Sequence, residues 1–331
     1  MPKSSAKHSA HYPAYADLNR PDETGLPLAW GVWGDEDQLG TLNHITPDRV
    51  REAAALVRRG VRFNLDLPLH VPYGLAKPKA HRFRTAPAHT INAITATGNI
   101  PARDDLLDSF YLQSSSQWDG LTHIGDPAHG FYNGVQAEQI TGKEGTRNGI
   151  ENMADFGIAA RAVLVDLPRH FARVGREWHP NRQMTVTPED LEACLAGQGV
   201  SLQAGDVLLV RYGWLELFLG AGDEEARDDV LRPWSFSGLS GQEDMWEFIW
   251  EQRLSAVVSD SVTTEVWPLV EGRPSLHLAI ARLGLVIGEL FDLEALAADS
   301  ANTGEYSAFF TSSPLNLRGG VGSPPNAMAI R

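Results

Sequence analysis

Ser114 to Gly134 reads SSSQWDGLTHIGDPAHGFYNG and packs Asp119, His123, Asp126 and His129 into eleven residues. Carboxylates and imidazoles are the side chains that ligate transition metals and move protons near neutral pH. Gly120, Gly125, Pro127 and Gly130 bracket them and favour a fixed turn over a regular element. Loops held on a rigid scaffold are where such sites sit. A lone histidine here would read as a solvated or capping group, whereas the cluster reads as a site. Asp119 and His123 are four residues apart, a spacing that returns both side chains to one side of a helix or a strand, so both can reach one metal ion.

A second pair lies far down the chain. His277 falls in the opening turn of a short helix, and Glu289 ends the otherwise apolar run LGLVIGEL. A carboxylate in such a strand is costly to bury unless it meets a cation, a metal or strong donors. A structural salt bridge and metal ligation both satisfy Glu289. Other chemistries fit less well. Ser240 in GLSG misses the Gly-x-Ser-x-Gly elbow by one position. Cys194 has no activating neighbour and reads as helix packing. There is no Gly-rich phosphate loop and no dinucleotide fingerprint. His70, His81 and His89 show no ligand spacing and read as surface or lid residues over a long irregular segment, residues 70–104. Most tryptophans read as core, but Trp118 precedes Asp119 and is a candidate wall of an aromatic pocket.

The chain that must position these groups has 331 residues, 43% of them hydrophobic, enough for a substantial core. Its net charge of −14, without a basic block, argues against nucleic acid or an anionic membrane as partner. One cysteine allows no intrachain disulfide, which fits a reducing cytoplasm. With no apolar leader at the N-terminus and no run of about 18 apolar residues, a soluble cytoplasmic protein is expected. Residues 1–30 read as a polar arm and 302–331 as a tail of turns with an edge strand.

Between them, elements alternate. Thr46-Pro47 and Thr187-Pro188 each start a helix, as N-cap and first helical residue. The first is expected to run to Gly60 and the second to Gly197 or Gly199. Val61 to Leu69 alternates as a half-buried strand. Residues 149–160 read as a helix, and 162–168, 206–213, 256–262 and 285–290 as strands. The acidic run 222–229 reads as a solvated loop. Helices are expected over 243–254, 275–283 and 292–298. One α/β domain spanning 1–331 with a mixed sheet is the economical arrangement.

The chain resembles the metal-dependent cyclase family, which includes bacterial kynurenine formamidase and isatin hydrolase. That family carries His-x-Gly-Thr-His-x-Asp-x-Pro-x-His, and this sequence reads Asp119-Gly-Leu-Thr-His123-Ile-Gly125-Asp-Pro127-Ala-His129. ITPDRVREAAALVRRG, TPEDLEACLAGQGVSLQAGDVLLVRYGW and SLHLAIARLGLVIGEL extend the resemblance over most of residues 30–300. It implies a swivelling β/β/α cyclase-like fold, a homo-oligomer (dimer or tetramer), and a divalent metal, Zn or Mn. His123, His277 and Glu289 match ligand positions, and His129 matches the histidine that works as acid and base. Asp119 replaces the family's first histidine ligand and can still bind zinc or manganese. Gly125 replaces a metal-bridging aspartate, which favours one metal per chain over two. The implied activity is hydrolysis of an amide, cyclic imide or lactone in a small-molecule substrate, by metal-activated water. Trp118, Tyr132 and Trp214 are the expected substrate-pocket residues. The alternatives are a ligand-binding member without turnover and a metal-dependent cyclase or dehydratase.

Overall fold

A computed structural model describes residues 12–76, 84–96, 99–272 and 274–331, so His81 lies outside the described residues. In chain order the strands are β1 (Arg62–Asn64), β2 (Ala88–Ala96), β3 (Ile100–Asp108), β4 (Gln117–Asp119), β5 (Ile158–Asp166), β6 (Thr185–Val186) and β7 (Val207–Arg211). They continue as β8 (Gly238–Leu239), β9 (Ala256–Ser259), β10 (Ile287–Glu289), β11 (Ser307–Ser312), β12 (Gly322–Ser323) and β13 (Ala327–Ile330). Nine form one mixed sheet in the order β1-β13-β11-β5-β7-β9-β10-β4-β12. Its centre, β5-β7-β9-β10, is parallel, and β4 joins antiparallel to β10. Parallel strands covered on both faces read as continuous apolar runs, and VLLVR and AVVS are buried throughout. The fold is a mixed α/β domain with a large curled sheet.

Two helix starts follow from the sequence. Thr46 and Thr187 accept hydrogen bonds from Arg49 N–H and Asp190 N–H, with Pro47 and Pro188 in the first turn. The second helix ends before Gly199, whose φ of 68° is the left-handed cap a glycine adopts without strain. Cys194, buried on it, has its thiol pushed up to about 12 by burial, consistent with packing and not reactivity.

Several expectations need correction. The first helix stops at Ala54, short of Gly60. Strand β1 covers three residues only, although burial keeps alternating through Phe63, Leu65 and Leu67. The helix expected over 149–160 is Glu151–Phe156; Gly157 ends it and β5 begins at once. The strand expected to 168 yields at Asp166, which caps the helix Leu167–Val174 through Arg169 N–H. The acidic run is a helix, Glu224–Leu231, capped by Asp223, with acids in the first turn where the helix dipole favours them. Inside 70–104, β2 and much of β3 form a hairpin. The C-terminal tail contributes β11, an interior strand between β13 and β5. The N-terminal arm packs down, burying Tyr15, Leu18, Leu26 and Leu28. Among the described residues no helix is long and apolar enough to cross a membrane.

Candidate metal centre

The register of β4 against β10 builds the site. Gln117 pairs with Glu289, Trp118 with Gly288, and Asp119 with Ile287. Side chains alternate across a strand, so Gln117, Asp119 and Glu289 share one face and Trp118 takes the other. Trp118 lies over Gly288, where a Cβ would sit 2.9 Å from the indole and 2.8 Å from the Phe291 ring. Its Nε1 donates to Ser312 Oγ at 2.8 Å. Leu290 then turns the chain with a left-handed φ of 56°. The turn is held by its N–H on Ser261 O at 3.0 Å and its carbonyl on Ser116 Oγ at 2.5 Å.

His277 arrives from the other side, at the N-terminus of the helix Leu278–Leu283. Its Nε2 is 3.1 Å from Glu289 Oε1 and 3.6 Å from Asp119 Oδ2. Donor atoms of Asp119, His277 and Glu289 all lie within 4.8 Å of one another. His123 Nε2 stands 3.6 Å from Asp119 Oδ1. The segments about 150 residues apart in sequence therefore meet, as their residue types suggested.

Three further groups hold this arrangement. Glu265 Oε1 is 2.6 Å from His277 Nδ1 and accepts from Ser275 Oγ at 2.6 Å; Oε2 accepts from Leu276 N–H at 2.5 Å. Gln117 Nε2 donates to Glu289 Oε2 at 2.8 Å and Asp119 Oδ1 at 3.3 Å. Thr264 N–H donates to Glu289 Oε1 at 3.0 Å. A histidine whose second nitrogen meets a carboxylate has its ring oriented for metal binding. Sequence reasoning missed Glu265 and Gln117. Glu265, an acid between hydroxyl and apolar residues in SVTTEVWP, carried the same signal as Glu289 in its apolar strand.

The electrostatics of the cluster are those of a cation site. Burial pushes Glu289 up and the nearby Asp119 charge adds to it. Burial opposes charge on His277, yet the surrounding carboxylates of Asp119, Glu265 and Glu289 raise it well above the usual imidazole range. Burial also opposes charge on Asp119, but the His123 charge and His277 outweigh it and hold the carboxyl below its ordinary value. Asp119 Oδ2 is buried without a hydrogen-bond partner. Such an oxygen, facing a second carboxylate and an imidazole, suits zinc or manganese and fits the divalent metal the resemblance implies.

A cavity of about 320 Å³ opens over this cluster. Its polar end is His123, Glu265, His277 and Glu289, and Ile124, Val262, Trp234 and Trp267 supply apolar walls. Arg84 also lines it, near enough for its charge to act on Asp119.

The expected pocket residues lie elsewhere. Trp118 is core, packed on Phe291 and Phe310 with ring centroids 5.1 and 6.2 Å away. Tyr132 is fully buried, its hydroxyl donating to Asp37 Oδ2 at 3.0 Å. Trp214 stacks on Phe218 in a separate apolar cluster. Each side chain is large and apolar enough to serve the core, and none lines the cavity. His129 is not a lining residue either; its Nε2 is 2.7 Å from Asp22 Oδ2. Buried Arg282 ties the two ends of that cluster, with Nη2 2.5 Å from Asp22 and Nε 2.5 Å from Asp126. Asp126 is thus committed to Arg282, and a side chain at Gly125 would press on the Phe131 ring at 3.1 Å. Neither position supplies a bridging carboxylate.

Residues 65–266 match the family model described as putative cyclase. Among solved structures, the chain is similar to one described as a novel cyclase, at 33% identity and a TM-score of 0.79, over 92% of this chain and 99% of that one. It is also similar to isatin hydrolase A from Ralstonia solanacearum (18% identity, TM-score 0.52, 87% of this chain and 99% of that one). Isatin hydrolase A from Labrenzia aggregata, bound to benzyl benzoate, compares at 17% identity and a TM-score of 0.51, over 84% of this chain and 94% of that one. These two likenesses are of fold. No curated protein matches the sequence. The family match and the relative sharing a third of its residues along nearly the whole chain establish that this protein belongs to the putative cyclase family.

Proposed function

We propose that this protein is a metal-dependent hydrolase that cleaves an acyl C–N or C–O bond of a small amide, cyclic imide or lactone. The observation that carries the reading is the convergence of Asp119, His277 and Glu289 beneath an apolar cavity, with His123 against the same aspartate. These four residues would hold one zinc or manganese ion. When bound, the ion supplies Lewis-acid polarisation of a carbonyl and lowers the pKa of coordinated water. Two of the fold neighbours are isatin hydrolases, so hydrolysis is a chemistry this fold carries.

The chain's own residues do the rest. Glu265 fixes the His277 ring with Nε2 toward the acids, and Gln117 holds Asp119 and Glu289 in register. Trp234 and Trp267 remove water from the apolar part of a substrate. Proton transfer is assigned to His129 on the family pattern. The geometry sets a condition on it: Nε2 must leave Asp22 before the ring can serve the cavity.

Metal analysis of the purified protein tests the reading. About one divalent ion per chain, lost in His277→Ala together with hydrolysis of simple amide and lactone substrates, is the expected result. A metal-free wild type that chelators leave unchanged would overturn it in favour of a ligand-binding member, and a dehydrated or cyclised product would identify the other reaction class.

A further inference from the structure

Among the described residues that line the cavity, Arg84 is the one whose positive charge does not depend on pH. The other basic groups there, His123 and His277, face the acids. Arg84 is half-buried in the segment leading to β2, and its Nη1 donates to Gln113 O at 2.9 Å, ahead of β4. That bond holds the guanidinium on the cavity wall.

The acid cluster is already served by other groups. His277 meets Asp119, Glu265 and Glu289, and Gln117 donates to Asp119 and Glu289. Thr264 N–H donates to Glu289, and Ser275 Oγ and Leu276 N–H donate to Glu265. The Arg84 charge reaches Asp119 more weakly than those of His123 and His277, which sets it off from the cluster within the same cavity. Trp234, one of the apolar walls, holds a left-handed φ of 47°. An aromatic residue in that region is strained, the kind of backbone outlier that gathers at ligand clamps.

Charge decides what this wall can take. A divalent ion would set two positive charges against the carboxylates of Asp119, Glu265 and Glu289, and Arg84 brings the cavity to neutrality. A chain of net charge −14 repels anions at long range, so an anionic ligand needs a local cation to settle. Apolar walls strengthen such a pairing, and the planar guanidinium fork matches a carboxylate. Resting on the reading of this cavity as a hydrolase's substrate pocket, we propose that Arg84 determines specificity. It binds an anionic group, a carboxylate or sulfonate, that the substrate carries apart from the acyl bond to be cleaved. The favoured substrates are amides or lactones bearing a separate acid group.

Calorimetric titration with indole-3-acetate and its neutral amide, indole-3-acetamide, tests this on wild type, Arg84→Gln and Arg84→Lys, each metal-stripped and zinc-loaded. Wild type should bind the acid about tenfold more tightly than the amide in both states. Arg84→Gln, which can keep a donor for Gln113 O, should weaken the acid ~10- to 100-fold (~1.4–2.7 kcal/mol) and leave the amide unchanged. Arg84→Lys should restore part of the preference, and Arg84→Met replaces the glutamine variant if that one misfolds. Equal losses for acid and amide would reduce Arg84 to a structural role and overturn the proposal. A preference that survives in Arg84→Gln would place the carboxylate on the ion instead, and no measurable binding of the acid to wild type would be equally fatal. Binding needs no turnover, so the two readings fail separately. An Arg84-dependent preference in a protein that hydrolyses no acyl compound would sink the hydrolase reading alone; hydrolysis of acid-bearing and neutral substrates with equal KM would sink this one alone.

Discussion

Replacing Glu265 with glutamine removes the carboxylate behind His277 while keeping nearly the same shape. Glu265 accepts three hydrogen bonds, from His277 Nδ1, Ser275 Oγ and Leu276 N–H, across its two oxygens. Glutamine has one oxygen, so its amide must face either His277 and Ser275 or Leu276 N–H, and at least one donor loses its acceptor. Stranding a buried donor costs ~1–3 kcal/mol. In the metal-bound state, losing the carboxylate partner of a ligating histidine weakens affinity by ~10- to 100-fold, or ~1.4–2.7 kcal/mol. A second effect opposes this: its carboxylate neighbours raise His277 above the usual imidazole range, so a proton competes with the metal, and removing one carboxylate eases that competition. The loss should therefore grow as pH rises and that competition weakens. Titration of metal-stripped protein against a competing chelator at pH 7 and pH 9 measures both. Affinity within threefold of wild type at both pH values, in a folded variant, would refute the assignment of His277 as a ligand oriented by Glu265.

His129→Ala should retain metal and lose turnover by ~10²- to 10⁴-fold if His129 moves the proton; full turnover with a lowered melting temperature would assign it to the Asp22–Arg282 scaffold alone. Trp118→Ala should cost ~3–5 kcal/mol in denaturant unfolding, and a loss under 1 kcal/mol would contradict its place in the core. Asp260 is fully buried and accepts the N–H groups of Tyr212 and Gly213, and burial pushes its carboxyl up to about 7. A raised carboxyl holds its proton in the folded state, so its contribution is fully present below about pH 4 and fades as pH rises to about 7. Relative to Asp260→Asn, wild type should therefore lose ~2–4 kcal/mol between pH 4 and 7.5; a pH-independent difference would contradict the shift.

The site was more legible in the sequence than its surroundings. Asp119, His123, His277 and Glu289 stood out because each sets a titratable group where glycine or apolar residues are the background. Glu265 met the same criterion, but no spacing tied it to a partner. Only the β4–β10 register shows that Gln117 faces Glu289. The pocket expectation failed at Trp118 for a local reason: neighbours in a strand point to opposite faces, so a residue beside Asp119 in β4 turns away from the site. Strands β7, β9 and β10 were readable as apolar runs. The hairpin was not, because neither face is buried in its own chain and no two-residue periodicity marks it.

The pairing of Gln117 with Glu289 joins positions 172 residues apart. During synthesis, the first half of the binding pocket emerges long before the second exists. On the proposed reading, the acidic centre would capture an ion only after Glu289 has left the ribosome and β10 has inserted between β9 and β4. Loading would then come late in biogenesis, and a bound ion would act as a staple between early and late chain. At a hundred times its dissociation constant, such an ion would add ~2.7 kcal/mol to a seam already closed by the β4–β10 hydrogen bonds and by Trp118 packed over Gly288 and Phe291.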